Sequence, residues 1–127
     1  MSPQDMLSRK FKLNNKLTTP KEFDTVFEKK EVKISTPSLL ILARRNNYNR
    51  NRLGMIVSKR SIPQSVQRNK IKRHIRETFR HLCTNKTKTM DIVVMTRRKI
   101  TIDRNLLKLI QKAFKSLVNE FETSKSI

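Results

Sequence analysis

The sequence predicts an α+β fold, a single-domain sandwich of three helices on a mixed sheet of about four strands, in the order α-β-β-β-α-β-α. Three observations predict it. Apolar residues recur at helical spacing in three separate stretches, around residues 23–27, 71–82 and 106–121, and between these stretches they alternate or run in short blocks. The first and last of the helical stretches open on residues that cap helices. The chain has 127 residues and 35% hydrophobic content, which is room for one domain with one modest core.

Residues 1–17 are basic and irregular, with Phe11 and Leu13 as the obvious anchors, and are predicted to form a partly extended, flexible arm. The domain is predicted over 18–121. Thr19-Pro20-Lys21-Glu22 gives a helix start: Thr19 as N-cap, Pro20 at the first helical position, and Glu22 placed to close a capping box. Phe23, Val26 and Phe27 follow on one face, and Lys29, Lys30 and Glu31 continue no apolar face, so this helix is short. The pattern then changes. Val32 and Ile34, then Leu39 to Ala43, then Leu53, Met55 and Val57 with Ile56 turned the other way, read as strands. The Asn-rich segment from Arg44 to Asn51 is predicted as a surface loop joining two antiparallel strands. Beyond the second helical stretch, Asn85 to Thr89 is a polar break and Asp91 to Met95 is a β-branched run with the look of a buried strand. Asp103 is the N-cap of a last helix whose core face is Leu106, Leu107, Ile110, Ala113, Phe114, Leu117, Val118 and Phe121. Residues 122–127 form a polar tail.

Thirty Lys and Arg against ten Asp and Glu give a formal net charge of +20 and a pI near 11.1. A chain so charged repels its own copies and binds polyanions, so a monomer in search of nucleic acid is the expectation. A membrane surface is the other anionic candidate, but no hydrophobic anchor accompanies the cations and no stretch is long enough to span a bilayer. The N-terminus lacks the apolar run of a signal peptide. Cys83 is the only cysteine, which excludes an intrachain disulfide, and no Cys/His spacing suits zinc. A cytoplasmic protein is expected. Gly54 is the only glycine, which excludes a glycine-rich phosphate loop.

The middle helix carries the charge in a pattern. From Arg68 to Arg80 it holds six Lys and Arg against Glu77 alone, with Ile71, Ile75 and Phe79 every fourth residue. At roughly 100° per residue, Ile71, Ile75, Thr78, Phe79 and Leu82 share one side, and Asn69, Arg73, Arg76 and Arg80 fall in a stripe about 60° wide opposite. A helix face that is merely solvated would interleave acids at four-residue spacing. Four of these six cations are Arg, whose planar fork suits phosphate oxygens.

This helix and the strand before it resemble the protein family of bacterial ribonuclease P. The resemblance rests on Arg52-Leu53-Gly54-Met55-Ile56-Val57-Ser58-Lys59-Arg60, against a family strand of roughly Arg-x-Gly-x-x-Val-Ser-Lys-Lys, and on Arg68-Asn69-Lys70, against an Arg-Asn-Arg helix opening. It extends over most of the chain in element order. Lys70 replaces the second Arg, keeping charge without the fork; Pro63 stands where a loop Gly is common; and Leu39 to Leu42 lacks a strand aromatic found in some relatives. General sterics favour a right-handed crossover between parallel strands. The resemblance implies the unusual left-handed one, and the expectation follows it.

The resemblance further implies an endoribonuclease subunit that assists removal of the 5′ leader of precursor tRNA, with Mg²⁺ and the chemistry belonging to a catalytic RNA partner. Arg68, Asn69, Lys70, Lys72, Arg73, Arg76 and Arg80 would contact that RNA. Phe23 and Phe27, with Lys59 and Arg60, would hold the single-stranded leader in a cleft between the first helix and the sheet, one of the two rings being core and Phe23 the favoured cleft ring. The residues themselves offer no protein active site. His74 and His81 are the only histidines and lack a third group to orient them, and the carboxylates are scattered. The alternatives are a ribosomal or other structural RNA-binding protein, and a metal-independent nuclease using His74 and His81.

Overall fold

The computed structural model describes residues 16–46, 48, 50–83, 89–98 and 100–125, the last four for backbone only. The arm anchors Phe11 and Leu13 and most of the polar break after the middle helix lie outside the described residues. The elements are α1 (Pro20–Lys29), β1 (Val32–Ser35), β2 (Leu39–Arg45), β3 (Arg52–Ile56), α2 (Ser65–Leu82), β4 (Met90–Thr96) and α3 (Arg104–Lys125). The helix starts follow the sequence. Thr19 and Glu22 close the capping box on α1, and the Asp103 carboxylate accepts from the Leu106 N–H at 2.9 Å at the head of α3. α3 runs into the segment read as a polar tail, ending at Lys125.

The four strands form one mixed sheet in the order β1-β2-β4-β3. β1 and β2 are antiparallel, β2 and β4 are antiparallel, and β3 and β4 are parallel with α2 as their crossover. Thus β2 and β3 do run in opposite directions, but β4 is inserted between them, so the Asn-rich connection crosses over a strand end rather than turning a hairpin. β2 also takes Arg44 and Arg45 from the segment read as loop. Pairing each of them with a β4 residue satisfies backbone groups that a loop would leave to water. On the other edge Leu17 is buried, and its N–H reaches the Leu53 carbonyl at 3.0 Å.

Strand alternation divides the sheet into two faces. Leu39, Ile41, Ala43, Leu53, Ile92 and Val94 point to the face covered by α2 and α3, where they meet Ile71, Ile75, Phe79, Ile110, Phe114 and Leu117. Burying each large apolar side chain here contributes roughly 1.5–3 kcal/mol. Leu42 and Val93 point to the opposite face, under Val26 of α1 and Leu17. This second cluster is smaller, and Phe23, Phe27, Leu40, Ile56 and Met95 around it are only partly buried. One face is a closed core. The other is a helix lying on half-covered apolar strands.

Candidate nucleic-acid interface

α2 buries Ile71, Ile75, Thr78 and Phe79 and turns its cations outward. Asn69, Lys70, Arg73 and Arg80 are exposed, and Arg68, Lys72 and Arg76 are half-buried at the flanks. The first turn contains no acidic residue, and the N-cap Gln64 makes no side-chain cap. Cations concentrated near the positive pole of a helix destabilise it unless an anion neutralises them. Arg68 is the member of the motif that works inside the fold: its Nη1 donates to the Ile62 carbonyl at 2.9 Å and the Pro63 carbonyl at 2.8 Å, fixing the turn that launches α2. The two histidines line a groove between α2 and α3 together with Glu77, Gln111 and Lys115. His74 Nε2 lies 3.3 Å from the Leu107 carbonyl, so that nitrogen carries its proton and donates.

On the opposite face the register aligns Leu40, Met95 and Ile56 across three strands, and all three are half-buried beside α1. Phe23 and Phe27 stand over this side of the sheet, both half-buried, so neither ring is wholly core. The position of Phe23 explains the lone glycine. A Cβ built on Gly54 would lie 2.6 Å from Phe23 Cζ, closer than atoms pack, and 3.1 Å from Leu17 Cβ, a tight contact. Gly54 has no positive φ, so it is present for space rather than for conformation. The strip ends where β3 and β4 finish, near the exposed cations Lys59, Arg60 and Arg97. Arg97 is oriented there by its Nη1 donating to the Thr36 carbonyl at 3.0 Å.

Between α1 and the sheet sits a group of buried charges absent from the sequence reading. Arg52 donates from Nε and Nη2 to the two Asp91 oxygens, each at 2.8 Å, and from Nη1 to Glu22 Oε2 at 2.8 Å. Glu22 Oε1 accepts from the N–H groups of Thr18 and Thr19 at the head of α1. Burial alone would raise the Glu22 carboxyl, but those N–H groups and the Arg52 guanidinium outweigh it and hold it below the ordinary value. The Asp91 hydrogen bonds outweigh burial at Arg52 and keep its guanidinium charged. Asn46 Nδ2 donates to Asp91 at 2.7 Å, and the buried Asn51 bridges the Cys83 carbonyl and the Met90 N–H. This network locks α1 to β3 and β4, so the half-open strip is a preorganised surface. The signal that could have found it is a charge at the start of an otherwise apolar strand, which Arg52 and Asp91 both are.

Among the described residues no three His, Cys, Asp or Glu side chains come together as metal ligands, and no helix is long and apolar enough to cross a membrane. Burial pushes the Cys83 thiol up to about 12, which leaves it a small core residue rather than a nucleophile.

A cationic helix on one face of a sheet and a half-open apolar strip with a cationic end on the other define a basic α+β protein with two surfaces suited to nucleic acid. The ribonuclease P family profile matches residues 11–122, and the chain belongs to that family. It is 45% identical over 75 residues to the ribonuclease P protein component of Stutzerimonas stutzeri, the match covering 59% of this chain and 57% of that one, so it spans little more than half of that relative. To the ribonuclease P protein component of Ectopseudomonas mendocina it is 42% identical over 93 residues, 73% of this chain and 69% of the relative. Its fold is similar to that of the RNase P protein of Staphylococcus aureus, with a TM-score of 0.65 and 25% identity over 83% of this chain and 93% of that one.

Proposed function

We infer that this chain is the protein component of ribonuclease P, binding a catalytic RNA and the 5′ leader of precursor tRNA and assisting endonucleolytic removal of the leader. The observation that carries the reading is the placement of the two surfaces. The α2 stripe and the Phe23–Phe27 strip lie over opposite faces of one sheet, joined by β3 and the turn before α2. A protein so built can hold one RNA on each side and fix their relative position, which is how a group without its own active site raises a rate.

Asn69, Lys70, Lys72, Arg73, Arg76 and Arg80 contact phosphates of the catalytic RNA, with Arg68 contributing through the turn it fixes. Such contacts set register without reading sequence. Phe23 and Phe27 offer faces to unpaired leader bases, and Lys59 and Arg60 follow the leader backbone. Leu40 occupies the strip where an aromatic would add another stacking surface. Mg²⁺ is expected at the RNA partner; among the described residues of the protein no three His, Cys, Asp or Glu side chains gather to hold it. The net charge of +20 favours a monomer until RNA neutralises it, and the unreactive Cys83 suits the cytoplasm.

Two measurements test the two surfaces. Arg73→Ala is expected to weaken binding to the catalytic RNA and to flatten the slope of log affinity against log salt by about one counterion; an unchanged slope removes Arg73 from the contact. Phe23→Ala is expected to weaken binding of a leader-bearing precursor by about 1–3 kcal/mol while binding of leaderless tRNA stays the same. Equal losses on both substrates would place the leader elsewhere.

A further inference from the structure

Tyr48 is the only tyrosine in the chain and is 49% exposed, on the connection between β2 and β3. Its ring is held in place from below. The Arg52 guanidinium lies 4.1 Å from the ring centre, and that guanidinium is itself immobilised by Asp91 and Glu22. The backbone is pinned as well. The Tyr48 N–H donates to Asn46 Oδ1 at 3.0 Å, and Asn46 Nδ2 ties the segment to the Arg50 carbonyl and to Asp91. The Thr89 hydroxyl lies 2.7 Å from the Tyr48 carbonyl and 2.8 Å from Asn46 Oδ1, and donates its proton to one of them. A second guanidinium, Arg50, lies 5.7 Å from the ring centre.

Shielding Arg52 uses one face of the ring, and a leucine would do it. What a half-exposed, rigidly held aromatic ring, with one guanidinium packed over it at 4.1 Å and a second over it at 5.7 Å, adds is a surface for a flat, electron-poor ring attached to a phosphate. We propose that Tyr48 is a stacking platform for one unpaired RNA base, with Arg50 placed to meet the adjoining phosphate. The platform sits with Arg52 and Asp91 at one end of the paired β3 and β4, and the strip of Leu40, Met95 and Ile56 lies at the other, with Phe23 over Gly54 between them. Its entropic cost of ordering is met in the free protein, which is what makes one aromatic contact worth having.

The proposal rests on the RNA-binding reading, and its test separates the two. Full-length Tyr48→Phe, Tyr48→Leu and wild-type proteins are titrated against two RNAs: a bacterial ribonuclease P catalytic RNA, and a precursor tRNA whose leader carries 2-aminopurine. Tyr48→Phe is expected to bind both as wild type. Tyr48→Leu, with an unchanged melting temperature, is expected to lose about tenfold affinity for the RNA that supplies the base. Loss on the precursor, with reduced 2-aminopurine quenching, assigns the base to the leader; loss on the catalytic RNA alone assigns it there. Wild-type binding of both RNAs by Tyr48→Leu, or a loss matched by a lowered melting temperature, overturns the platform. If Arg73→Ala still flattens the salt dependence in that case, the wider reading stands without it.

Discussion

Asp91→Ala lowers the free energy of unfolding by about 3–5 kcal/mol, read as a fall in the urea midpoint with an unchanged slope. The magnitude follows from what is left behind. Side-chain exposure is 3% for Asp91 and 9% for Arg52, so removing the carboxylate takes two hydrogen bonds from a nearly buried guanidinium and leaves it the one to Glu22. Asn46 Nδ2 loses an acceptor in the same step. Replacing both partners by apolar residues, in Arg52→Met with Asp91→Leu, costs less than the single change, since no guanidinium is then left buried, and the Glu22 carboxylate that loses Arg52 is 28% exposed and keeps its bonds from the Thr18 and Thr19 N–H groups. Glu22 is more open, and its share depends on pH. Its folded carboxyl lies below the ordinary 4.5, so the stability it contributes is complete above that value and is lost as the pH falls through the lowered one. An Asp91→Ala protein within 1 kcal/mol of wild type would mean that the network is not what joins α1 to the sheet.

Gly54→Val destabilises the fold by about 3 kcal/mol, the upper end of the range for overpacking, and weakens leader binding as well. The added Cβ alone comes within 2.7 Å of two Phe23 ring carbons, and the Leu17 side chain closes the other direction at 3.1 Å. The ring must swing off the sheet, out of the position in which it offers a face to a base. Removing the ring removes the conflict. In the double change with Phe23→Ala the two losses of stability are therefore smaller than their sum, with a coupling of about 1 kcal/mol or more. Strict additivity in a denaturation cycle would show that ring and glycine do not oppose each other.

What the sequence discloses in this chain is what local chemistry determines. The capping box of α1, the Asp103 cap and apolar stripe of α3, and the two faces of α2 depend on residues a few positions apart, and each stands as read. The alternation of Leu53, Met55 and Val57 against Ile56 likewise sorts β3 onto the correct faces. Pairing is another matter. Nothing local tells β4 to insert between β2 and β3, because the paired residues lie 39 to 57 positions apart along the chain. The same distance hid the ion network, in which Arg52 meets partners 39 and 30 residues away. It also hid the work of the Asn-rich connection, read as a plain link although Asn46 and Asn51 are tied to β4. Arg68 has a second use that its motif does not announce: it reads as an RNA contact, and one arm of its fork is committed to the Ile62 and Pro63 carbonyls.

In the proposed role this protein raises cleavage by an RNA partner and cleaves nothing itself. The direct measurement is cleavage of a leader-bearing precursor tRNA at near-physiological Mg²⁺ by the protein alone, by a bacterial ribonuclease P catalytic RNA alone, and by the two together. Strong cleavage at the mature 5′ end only in the mixture, retained in the double variant His74→Ala with His81→Ala, is the predicted result. Cleavage by the protein alone that disappears with the histidines, or a mixture no faster than the RNA by itself, would contradict the account.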